Sequence, residues 1–137
     1  MVFRPLTVCL AMLAAPAGAE VFTFETPSGN IDCSVGIEQG TSDIQCIIHD
    51  RSGDPALPRP ADCKAAWGHH FSTLSSGRVT MACGGPGQNL KMFEVAGYGV
   101  TSADWNGISC SSTRQGLDCR NADGHGFFLS RQVQRVY

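Results

Sequence analysis

The chain predicts an all-β domain, a small antiparallel β-sandwich or barrel-like fold with one short helix near 62–67, stapled by three disulfides. Three observations predict it. Apolar and polar residues alternate over short runs, the period of a half-buried strand and not of a helix. Turn-forming residues, including 16 Gly and 7 Pro, punctuate those runs. Five of the seven cysteines follow an apolar residue two positions earlier: Ile31-x-Cys33, Ile44-x-Cys46, Met81-x-Cys83, Ile108-x-Cys110 and Leu117-x-Cys119. Side chains two apart on a strand share a face, so these cysteines point with the core.

Residues 1–19 read as a secretory signal peptide. Arg4 supplies a short basic region, Leu6 to Ala15 an apolar stretch too short to span a membrane, and Ala17-Gly18-Ala19 a small-x-small cleavage site. Cys9 leaves with that segment. Val8 precedes it where a lipoprotein signal needs a small residue. Residues 20–137 are then one domain, secreted or periplasmic, where cysteines oxidise to disulfides. Without Arg4 the chain carries 9 basic against 12 acidic residues, a net charge near −3. No basic tract exists, which argues against nucleic acid as the partner, and no later apolar run approaches a transmembrane length.

The elements follow in order. Val21 to Glu25 alternates with both Phe22 and Phe24 on one face, a first strand. Thr26-Pro27-Ser28-Gly29-Asn30 has turn chemistry. Ile31, Cys33 and Val35 make the inward face of a second strand, and Ile44, Cys46 and Ile48 that of a third, joined by a longer polar connection over Glu38 to Asp43. Three prolines exclude regular structure from Arg51 to Pro60. Ala61 to Trp67 has the best helix propensity of the domain, with Asp62 as N-cap and Gly68 as stop. Phe71 to Leu74 and Arg78 to Cys83 form a hairpin around Ser75-Ser76-Gly77. Met92 to Val100 is weakly strand-like. Ile108 to Ser112 and Gly116 to Arg120 form a second cysteine hairpin around Thr113-Arg114-Gln115, echoing the Cys33/Cys46 pair. Gly126 to Leu129 starts a final strand that runs on toward Tyr137.

Six cysteines permit fifteen pairings. The hairpin argument favours Cys33–Cys46 and Cys110–Cys119, each on one side of two adjacent strands. Cys63–Cys83 follows by elimination.

The candidate chemistry is thin. His69 and His70 are adjacent, so on a strand they face opposite ways and suit a shared metal poorly; His49 and His125 are isolated in sequence. Asp118-x-x-Asn121-x-Asp123-Gly124 resembles a calcium loop but lacks its ligand alternation and the closing Glu. An Asn/Asp/Gly turn explains it more simply. No metal and no cofactor is expected. No serine sits in Gly-x-Ser-x-Gly, and three disulfides leave no thiol for catalysis, so no catalytic residue is assigned. The alternative to a binding module is a small secreted hydrolase with His125 as general base, drawing on Asp104, Asp123 and Ser130. The candidate binding residues are Trp105, His125 and Arg131. Trp105 sits in a turn, where an exposed aromatic anchors a partner or a sugar; folding back over the core is the simpler reading. Arg131 either binds an anion or caps a strand edge. Gly124-His125-Gly126 is an ordinary turn or a strained one. The expected function is an exported binding or envelope-interaction module, its partner an envelope or extracellular protein or a glycan.

Phe24 to Cys33, with Thr26-Pro27-Ser28-Gly29-Asn30-Ile31, then Cys110 and Cys119, then Gly124-His125-Gly126-Phe127-Phe128-Leu129-Ser130-Arg131, resemble a family of small exported bacterial proteins, domain of unknown function 6636. The middle matches through Pro58, Cys63, Trp67-Gly68 and Cys83. The resemblance implies an exported, cysteine-bridged domain and no mechanism.

Overall fold

The computed structural model describes residues 18–87, 93–99 and 104–137. Residues 1–17, with Cys9, lie outside them, as do Met92 and Val100. Strands β1 (Glu20–Glu25), β2 (Ile31–Glu38), β3 (Thr41–Ile48), β4 (His70–Leu74), β5 (Thr80–Ala82) and β6 (Glu94–Val95) form one sheet in the order β5-β4-β3-β2-β1-β6. Strands β7 (Ser109–Thr113), β8 (Gly116–Arg120), β9 (Gly126–Leu129) and β10 (Gln134–Val136) form a second, in the order β10-β9-β8-β7. All pairings are antiparallel except β1 with β6. The two sheets pack into one core, where alternate residues of β2, β3, β7 and β8 meet Phe71 and Phe127, whose ring centroids lie 5.7 Å apart.

All three disulfides form as expected: Cys33–Cys46, Cys63–Cys83 and Cys110–Cys119. Cys33 lies directly opposite Cys46, and Cys110 opposite Cys119, in the strand registers. Their Cα atoms are 4.2 and 4.1 Å apart, the close approach of facing cross-strand pairs. Each bridge staples one hairpin of one sheet, and both are buried.

Four local expectations change. No helix occurs among the described residues; residues 61–62 make only a turn. The Arg59 guanidinium takes the carbonyls of Cys63 and Ala65, Lys64 Nζ takes that of Ala61, and Cys63 is tied to Cys83. The buried Trp67 donates from Nε1 to the Leu57 carbonyl. These tertiary ties outweigh a weak helix propensity. The β2–β3 connection is shorter than expected. The ladder continues to Glu38↔Thr41, and Gln39 (φ 46°) and Gly40 (φ 79°) close a two-residue turn of the primed kind. The strand starting at Gly126 breaks at Ser130, where Ser130 N donates to the Val133 carbonyl and Ser130 Oγ bonds Val133 on both backbone sides. The chain turns back there as β10. Of the weak strand expected over Met92 to Val100, the described residues 93–99 hold only the two residues of β6.

Candidate functional site

Trp105 is placed by a tight turn. Its N–H donates to the Ile108 carbonyl at 2.8 Å, and Asp104 Oδ1 accepts from Gly107 N at 2.6 Å. Asn106 (φ 51°) and Gly107 (φ 94°) take the left-handed conformation this turn requires. Ser42 Oγ, on the other sheet, donates to the Trp105 carbonyl at 2.7 Å and so joins the turn to β3. The indole folds back over the core edge and stacks on Phe24, centroids 6.0 Å apart and planes 20° apart. Phe24 is half-buried beneath it, whereas Phe22 stays 42% exposed.

Trp105 and Phe24 wall a recess of about 210 Å³ at the opening between the sheets, completed by Val95, Ala96, Leu117 and Ser112. The lining is mostly apolar. Its polar residues are Thr23, Glu94 and Ser112; of these Ser112, only 3% exposed, carries a buried Oγ with no hydrogen-bond partner. A buried hydroxyl left unpaired costs about 1–3 kcal/mol, so folds rarely keep one without a use.

Arg131 lies in a second hollow of about 150 Å³, lined by Thr26, Ser28 and Asn30 from one end of the chain and Leu129, Ser130 and Arg131 from the other. Arg114 and Tyr98 border the same hollow, with the Arg114 guanidinium 5.2 Å from the Tyr98 ring centroid. The hollow's frame is hydrogen-bonded. Asn30 exchanges two side-chain bonds with the Asp50 backbone, at 2.9 and 2.7 Å. Ser52 N donates to the Arg131 carbonyl at 2.8 Å, and Gln134 Nε2 to the Ser130 carbonyl at 2.8 Å. Arg131 pairs with Asp50 at 3.7 Å, but both side chains are well exposed, so the pair holds little energy.

His125 lines neither hollow. Its N–H donates to Asn121 Oδ1 at 3.1 Å, and its Nδ1 is 3.2 Å from the Tyr137 carbonyl oxygen. The turn is an ordinary one, with positive φ at Gly124 and none at His125. The groups needed for a hydrolase are engaged elsewhere: Asp123 Oδ2 accepts from Gly77 N, Asp104 from Gly107 N, and Ser130 bonds Val133. The calcium-like stretch is an Asn-centred turn, with Asn121 Oδ1 accepting from Asp123 N and His125 N. Among the described residues no group of three or more His, Cys, Asp and Glu side chains is placed to hold a metal ion. His69 Nδ1 and His70 Nε2 each bond a backbone carbonyl, of Ile48 and Gly85.

One pairing escaped the sequence reading. His49 Nε2 lies 2.6 Å from Asp32 Oδ2 in a largely buried pair. Glu25 faces Asp32 across β1 and β2, and each carboxylate has a buried oxygen without a hydrogen-bond partner. The signal was present: pairing Cys33 with Cys46 places Asp32 opposite Ile47, and His49 one diagonal step away on the same face. At the other end Tyr137 donates its hydroxyl to Asp118, with Arg120 over its ring at 5.4 Å. Partial burial, then that hydrogen bond, pushes the Tyr137 phenol up to about 12.

A further groove, about 460 Å³, runs along β3 to β5 with exposed Leu74 on its wall. Two of its lining hydroxyls, Ser72 and Thr80, bond each other at 2.9 Å. Unlike Ser112, they present no unmet demand.

Fold and disulfides define the class: a small two-sheet β domain cross-linked once within each sheet and once between a loop and the end of β5. Its three bridges suit an oxidising, exported location. The chain belongs to the Family of unknown function (DUF6636), whose model matches residues 5–137. No curated protein and no solved structure gives a significant match. No helix among the described residues is long and apolar enough to cross a membrane.

Proposed function

We propose that the domain is exported through cleavage near Ala19 and works in the envelope or outside the cell as a binding module, without catalysis, holding an apolar group of ring size in the Trp105 recess. One observation carries this reading: the unpartnered Ser112 Oγ inside an aromatic-walled apolar hollow. Ligand sites are built this way, as apolar concavities with a few placed polar groups. A cavity of roughly 150 Å³ lined by aliphatic and aromatic side chains takes up benzene, so about 210 Å³ accommodates one ring with a short substituent. Trp105 is the wall and Ser112 the orienting hydrogen bond. Arg131 borders the neighbouring hollow, and His125 receives no role.

The test is a nuclear magnetic resonance titration of the oxidised domain with benzyl alcohol, a ring bearing one hydroxyl. Saturable shifts confined to Phe24, Trp105, Ser112 and Leu117, abolished when Ala96→Phe fills the recess, are expected. Absence of saturable shifts at these residues would sink the reading.

A further inference from the structure

The two hollows adjoin. Phe24 lines the first and Thr26 the second; so do Ala96 and Tyr98, Ser112 and Thr113, Leu117 and Gly116. Four stretches of chain thus pass from one hollow into the other within one or two residues. Two residues along a strand span roughly 6–7 Å, so the two linings run into one another along these stretches.

The hollows differ in chemistry. The first is mostly apolar, with Thr23, Glu94 and Ser112 as its polar residues. The second carries two guanidinium groups, Arg114 and Arg131, among hydroxyl-bearing residues, and among the described residues no carboxylate lines it. Asp50 meets Arg131 from outside in a loose exposed pair, and Glu94 lines the first hollow. Arg114 makes no ion pair among the described residues and is steadied by the Tyr98 ring. On a chain whose formal net charge is −2, this is a local cationic spot beside an apolar hole. An extended fork of guanidinium donors matches a carboxylate in shape and charge.

We propose that the ligand is a small amphipathic carboxylate, its ring or chain in the Trp105 recess and its carboxylate held by Arg114, with Arg131 flanking. This deepens the binding reading above and rests on it. The recess selects the apolar body; the arginines select acid over neutral analogue. A short linker joins the two parts.

The probe pair is 4-phenylbutanoate and its neutral amide, titrated calorimetrically into the oxidised domain. The acid should bind about tenfold or more tighter than the amide, the size expected of a charge-assisted contact. Arg114→Gln should erase most of that preference, weakening acid binding far more than amide binding; Arg131→Gln should reduce the preference less. Arg114 is exposed in a hairpin turn, so its loss leaves the fold intact, which an unchanged thermal transition checks. Equal binding of acid and amide would overturn the anionic half and leave the apolar recess standing. Acid preference surviving in the Arg114→Gln, Arg131→Gln double variant would overturn it too. Failure of acid, amide and benzyl alcohol alike would remove both readings.

Discussion

Asn121 reaches across the sandwich to Thr73, its Nδ2 3.0 Å from the Thr73 Oγ1. Asn121 sits in the β8–β9 turn and Thr73 on β4, so one carboxamide joins the two sheets. The same Nδ2 lies 3.1 Å from the Leu74 carbonyl and 2.7 Å from that of Gly77, while Oδ1 accepts two backbone N–H groups of its own turn. Asn121 is 5% exposed. Replacing it strands several buried groups at once, so Asn121→Ala should cost about 3 kcal/mol. Urea unfolding measures this, and a loss below about 1 kcal/mol would show that water replaces the network.

The two hairpin disulfides close loops of 13 and 9 residues, and the third one of 20. Each should stabilise the fold by roughly 3 kcal/mol through the unfolded chain's lost entropy, against a net stability of about 5–15 kcal/mol for such domains. Reductant should therefore unfold the domain near room temperature, read as loss of the far-ultraviolet β signal. A reduced form that kept its cooperative melt within a few degrees would place the stability in the packed core instead.

Tyr137 makes stability fall at high pH. Its phenol, raised from 10.0 to about 12, holds its proton more tightly in the fold than in the unfolded chain. Its contribution is complete below pH 10.0 and is lost as pH rises through about 12. Ultraviolet titration of tyrosinate should show a late component that Tyr137→Phe removes and Asp118→Asn shifts downward. A late component that persists in Tyr137→Phe would contradict the assignment.

Ser112 separates binding from stability. Ser112→Ala removes an unpaired buried hydroxyl, so the variant should be as stable as the parent or more stable by up to about 1 kcal/mol. The same change should weaken benzyl alcohol binding several-fold. Destabilisation by more than about 1 kcal/mol would show that the hydroxyl serves the fold.

Period-two alternation made the fold legible. It identified both cysteine hairpins and their facing positions, because a strand's side chains have only two directions to point. The helix expected at Asp62 to Trp67 failed because propensity is a local term, while Arg59, Trp67 and the Cys63 bridge act at longer range. The short β2–β3 turn hid behind Gln39, whose positive φ is not written in its side chain. Trp105 stood in the sequence as either an exposed anchor or a residue folded back over the core, and its indole packs against the core edge. The recess beside it was illegible: its walls come from β1, β6, β7 and β8, and only packing of the sheets brings Phe24 to Leu117. Ser112 looked like one serine among many. Arg131 could be read from the sequence as an anion ligand or as a strand-edge cap, and Arg114 only as part of a hairpin turn, because its contact with the Tyr98 ring is made across the fold.

The most direct test is a crystal structure of the oxidised domain with benzyl alcohol bound. The ring should lie between Trp105 and Leu117, with its hydroxyl within hydrogen-bonding distance of Ser112 Oγ. An empty recess at saturating ligand, or a ring seated on the β3–β5 groove instead, would contradict the account.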